Sequence, residues 1–107
     1  MANNNVATLK ISKASSGDTL TISLEGRLDT TTAPQLEAEV KGGLDGVKDL
    51  VFDMAALEFV SSAGLRVLLL AQKAMNKQGS MKIRNLIPGV LKVFEVKGFS
   101  RILTIEK

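Results

Sequence analysis

The chain has 107 residues, 14 Lys plus Arg against 11 Asp plus Glu, and no Cys, His or Trp. One small domain with one core is what this length supports. Without Cys or His there is no disulfide, thiolate metal site, thiol nucleophile or Ser–His pair, so the composition points away from an enzyme. The net charge of +3 is spread along the chain without a basic block, which argues against direct nucleic-acid binding.

Met1 to Asn5 is expected to be a flexible start, and residues 6–107 a single domain. The start has no basic stretch followed by an apolar one, so a secretory signal is not expected. No apolar run approaches the ~18 residues of a membrane-spanning helix. A cytoplasmic protein, away from membranes, follows by default.

Val6 to Ile11 alternates apolar and polar residues as a half-buried strand does. Ser15-Ser16-Gly17-Asp18 is a turn cluster, and Thr19 to Leu24 alternates again, predicting an antiparallel hairpin. Gly26 to Asp29 is expected to leave the sheet. Thr30-Thr31-Thr32-Ala33-Pro34 then opens a helix whose buried face holds Ala33, Leu36 and Val40, with Leu44 at its margin and Gly42-Gly43 as its stop.

Leu50 to Met54 reads as a buried strand followed by a loop. Ser61-Ser62-Ala63-Gly64 starts a long helix in which Leu65, Leu68, Leu69, Gln72 and Met75 share a face, closed by Gln78-Gly79. Met81 to Asn85 is a further strand. Pro88 opens a short helix through Val90, Leu91, Val93 and Phe94 that Gly98 ends, and Ile102 to Ile105 forms the last strand. The expected fold is α/β: a small mixed β-sheet with an N-terminal hairpin, then strand–helix alternation with helices packed on the sheet.

Chemistry concentrates where the second helix begins. Two hydroxyls stand at its start, where free N–H groups and the helix dipole favour a negative group. A phosphate on either serine would find an anion site there and add about −1.5 to −2 charge. Gly64 would let another backbone approach. The plainer alternative is that Ser61 or Ser62 is simply a helix cap. Asp29 could hold a serine hydroxyl, repel a phosphate, or only cap the first helix. No phosphate-binding glycine loop or metal-spaced carboxylate cluster is present, so no metal or cofactor is expected.

Three segments in this order resemble the STAS domain of the anti-sigma factor antagonist family: Gly26-Arg27-Leu28-Asp29-Thr30-Thr31-Thr32-Ala33, Leu50-Val51-Phe52-Asp53, and Leu57 through Leu68. Lys82 to Pro88 and Val93 to Phe99 look like its last strand–helix unit, so the resemblance runs from about Val6 to Ile105. It implies a non-enzymatic partner switch. The unmodified protein binds an anti-sigma factor that is also a serine kinase, phosphorylation at the helix start releases it, and a PP2C-type phosphatase resets it.

Aligned on Gly64, the family's Asp-Ser-Ser/Thr-Gly pattern assigns Ser62 as phosphoacceptor. Ser61 replaces the Asp and becomes a backup acceptor, while Ala63 replaces the second hydroxyl residue. The resemblance implies Asp29, Thr31, Ser61, Ser62, Gly64, Leu65 and Arg66 as the partner-binding set, in a protein expected to be a monomer. The alternative it leaves open is a non-switching STAS interaction subunit of a transport or sensory complex.

Overall fold

A computed structural model describes residues 8–106. Met1 to Asn5, and Val6 and Ala7 of the expected first strand, lie outside the described residues, as does Lys107. The element order is β1 (Leu9–Ser16), β2 (Thr19–Leu28), α1 (Ala33–Gly43), β3 (Asp49–Val60), α2 (Ser62–Met75), β4 (Ser80–Arg84), α3 (Pro88–Val96), a 3-10 turn (Phe99–Arg101) and β5 (Ile105–Glu106). The α/β class and the alternation are as expected.

The five strands lie side by side in chain order, with β1 antiparallel to β2 and every later pair parallel. Residues paired across strands share a face of the sheet. Leu20, Leu50 and Met81 therefore make one apolar row, and Ile22, Phe52 and Ile83 the next. Both rows enter a single core with Leu36 and Val40 of α1, Leu65 and Leu68 of α2, and Val90 and Phe94 of α3. The opposite face carries a polar row that runs through all five strands: Ser12, Ser23, Asp53, Arg84 and Glu106.

Three boundaries depart from the sequence reading. β2 does not leave the sheet at Gly26 but continues to Leu28, because Gly26 takes φ +105° and lets the strand keep pairing past a register shift. The expected loop after Met54 is strand. β3 runs on to Val60 with an extra residue at each of two shifts against β2, so Met54, Leu57 and Val60 are buried at a spacing of three. Ile102 to Ile105 is mostly not strand: Leu103 enters the core after the 3-10 turn, and only Ile105–Glu106 pairs with β4.

The hairpin turn is tighter than expected, since Ser15 and Ser16 still pair and only Gly17, at φ +62°, and Asp18 connect the strands. On α2 the buried stripe holds Leu65, Leu68, Gln72 and Met75, but Val67 and Ala71 replace the half-buried Leu69. No helix among the described residues is long and apolar enough to cross a membrane.

Candidate functional site

The site forms where the C-terminal ends of β2 and β3 meet. Leu28 pairs with Val60, and the Ser61 N–H donates to the Leu28 carbonyl at 2.9 Å. This bond brings the start of α2 against the end of β2. Gly64 completes the contact: a Cβ there would lie 2.6 Å from Leu28 Cγ and 3.0 Å from the Leu28 carbonyl oxygen. The close approach at Gly64 is therefore made within the domain, by the side chain and the carbonyl of Leu28.

The two serines divide the work of the helix start. Ser61 is the N-cap, with extended backbone and its Oγ accepting from the Gly64 N–H at 3.4 Å. Ser62 is the first helical residue and is exposed, and its hydroxyl has no hydrogen bond among the described residues. The first turn of α2 carries no acidic residue, so no carboxylate of that turn offsets the positive end of the helix dipole.

Asp29 serves the neighbouring turn. Its Oδ1 accepts from the N–H groups of Thr31 and Thr32 at 3.0 and 3.1 Å, and the Thr32 hydroxyl, which donates to the Arg27 carbonyl at 2.8 Å, lies 3.2 Å from the same oxygen. The Thr32 hydroxyl in turn accepts from the Asp29 N–H at 2.8 Å. Partial burial opposes ionisation, yet the bonds from Thr32 and Thr31 and the nearby Arg27 outweigh it and hold the carboxyl below its ordinary value. The expectation that Asp29 holds a serine hydroxyl is not met. Its hydrogen bonds go to the entry of α1, and it makes none to Ser61 or Ser62 among the described residues.

Leu65 corrects the expected partner-binding set. It is fully buried, because position 65 falls on the core stripe of α2, and it presents no side chain to a partner. Arg66 is exposed one position on. It lines a groove of about 380 Å³ between α1 and α2 with Thr30, Pro34, Glu37, Ala63 and Leu70. Thr31 is exposed on the turn that Asp29 organises.

Two residues at this end were not singled out from sequence. Phe59 pairs with Arg27 across β2 and β3, and the guanidinium carbon lies 4.1 Å from the centre of its ring. They are 32 positions apart, and the only sequence signal is the strand pairing, which the shifts in β3 conceal. Among the described residues no group of three or more His, Cys, Asp or Glu is arranged to hold a metal ion.

The model of the family described as "Mlab, STAS domain" matches residues 11–104. BtrV of Bordetella bronchiseptica, named as an anti-sigma factor antagonist, is 40% identical over 84 residues, which cover 77% of this chain and 72% of that protein. An anti-sigma factor antagonist from Mycobacterium paratuberculosis superposes with a TM-score of 0.83 at 22% identity, covering 92% of this chain and 85% of the other. The Bacillus cell fate determinant SpoIIAA in its phosphorylated form gives 0.69 at 20% identity, covering 94% and 92%. With a family model over most of its length and a relative at this identity, the chain belongs to the STAS domain proteins of the anti-sigma factor antagonist family.

Proposed function

We propose that this protein works by partner switching, with Ser62 as the switch. The observation that carries this reading is the division of labour between the serines: Ser61 holds the cap, and Ser62 presents a hydroxyl without a structural partner among the described residues. In this reading the unmodified surface around Ser62, Thr31 and Arg66 docks an anti-sigma factor that is also a serine kinase. Phosphorylation of Ser62 ends the contact and a PP2C-type phosphatase restores it. The ATP, metal and hydrolytic machinery belong to those partners, and the chain contributes no catalysis.

The physics acts with opposite sign in the free and bound states. In the free protein a phosphate on the first residue of α2 meets the dipole's positive end, which stabilises it by about 0.3–1 kcal/mol. The phosphorylated domain therefore stays folded. In the complex the same dianion must lose its water at a surface that accepted a neutral hydroxyl, and binding is lost. Ser61 is the poorer acceptor in this reading, since its oxygen is already engaged by Gly64.

The test uses the purified anti-sigma factor kinases of the source organism with ATP. One phosphate on Ser62, absent in Ser62→Ala, together with binding abolished by Ser62→Asp, supports the switch. An unmodified Ser62, or a Ser62→Asp variant that binds as wild type does, removes it.

A further inference from the structure

Arg27 and Phe59 stack across the β2–β3 pairing at the end of the sheet that leads into Ser62. At 4.1 Å from ring centre to guanidinium carbon, the cation lies well inside the range of attraction by the ring face. Leu28 and Val60, the next pair, turn into the core, so the alternation of the strands directs Arg27 and Phe59 to the opposite side. Both are open to solvent: Phe59 is 38% exposed, and the Arg27 side chain 45%.

The guanidinium is positioned and keeps donors to spare. It forms an ion pair with Asp29 at 3.7 Å, from Nε to Oδ2, a distance too long for a hydrogen bond. The other Asp29 oxygen is taken up by Thr31 and Thr32. Among the described residues no acceptor receives any of the five Arg27 side-chain N–H donors. An exposed phenylalanine ring that fixes an arginine with donors to spare combines two residue types that protein interfaces enrich over the rest of the surface.

We propose that Arg27 and Phe59 form a second anchor for the anti-sigma factor, and that its occupant is a carboxylate side chain of that partner. The carboxylate accepts the free donors of Arg27 while apolar partner surface covers Phe59. This rests on the reading that the Ser62 end of the domain docks an anti-sigma factor.

The test measures binding of the full chain to the anti-sigma factor that recognises its unmodified form. The variants are Arg27→Ala, Arg27→Lys, Phe59→Ala and the Arg27→Ala/Phe59→Ala double. Each alanine variant should bind about 10- to 100-fold more weakly, and the double should lose less than the product of the two. Arg27→Lys should fall between wild type and Arg27→Ala, since it keeps the charge without the planar fork. Arg27→Ala should also show a shallower salt dependence. Binding of both alanine variants within twofold of wild type, or a loss in Arg27→Ala with an unchanged salt slope, overturns the anchor and leaves the antagonist reading intact. Failure of wild type itself to bind any such partner overturns both, and is seen before a variant is compared.

Discussion

Gly64 sits against Leu28 with no room for a methyl group, and the surface it touches cannot retreat. The Leu28 side chain is fully buried, and its carbonyl oxygen is held by the Ser61 N–H. Alanine at position 64 gains up to about 1 kcal/mol of helix propensity. Forcing a methyl into a filled contact costs about 1–3 kcal/mol, and at 2.6 Å from Leu28 Cγ the cost should prevail. Gly64→Ala is expected to be destabilised by about 1–2 kcal/mol, read as a lower urea midpoint at unchanged slope.

Ser61 and Ser62 should respond differently to the same substitution. Ser61→Ala removes the cap and should cost about 0.5–1 kcal/mol, the low part of the usual range because the bond is long at 3.4 Å. Ser62→Ala should stay within about 0.5 kcal/mol of wild type. Equal losses in thermal or urea unfolding would mean that the two hydroxyls share the cap.

The carboxyl of Asp29 has a lowered pKa in the folded protein, so it binds protons less readily there than in the unfolded chain. Its stabilising contribution is therefore complete above the unfolded value of about 3.9, and is lost as pH falls through the lower folded value. Asp29→Asn should lack this part of the acid transition. The gap in unfolding midpoint between wild type and variant should narrow on going from neutral pH to about pH 2.5, and a gap that stays constant would count against the hydrogen-bonded carboxylate.

Leu65→Ala distinguishes a core residue from a contact residue. Truncating a buried leucine costs about 2–5 kcal/mol, and Leu65 is wholly enclosed. The variant should unfold at markedly lower urea, while its folded fraction binds the anti-sigma factor as wild type does. Arg66→Ala should show the reverse: near-native stability, because the side chain is exposed, and weakened binding.

Where apolar residues kept a strict period, the elements were legible. Thr19 to Leu24 alternates without a break, and the stripe on α1 through Leu36 and Val40 repeats at helical spacing. The second half of β3 was hidden for a physical reason. Each extra residue resets the alternation, so Met54, Leu57 and Val60 follow a period that belongs to neither a plain strand nor a helix. Gly26 shortened the expected β2 for another reason, since a glycine that usually ends a strand here permits the backbone geometry that prolongs it. β5 pairs through only two residues, too few to carry a pattern.

The site was legible in outline but not in its assignments. Both serines have the chemistry of a cap, and only backbone geometry shows that Ser61 takes that place. The composition of Asp29-Thr30-Thr31-Thr32 allowed a cap or a contact, and it could not show the bonds that Asp29 accepts from Thr31 and Thr32. Leu65 entered the candidate set by its place in a motif, although its helical phase already placed it inside. The meeting of Arg27 with Phe59 depends on a register that no local window of sequence contains.

The side-by-side order of the five strands has a consequence for how the chain is made. No strand has to wedge itself between two that are already joined, because each new one adds to the free edge left by its predecessor. During synthesis, β2, α1, β3 and the start of α2 emerge before β4, α3 and β5. The polypeptide around Ser62 thus leaves the ribosome ahead of the last two strands of the sheet, which then extend an edge that is already in place.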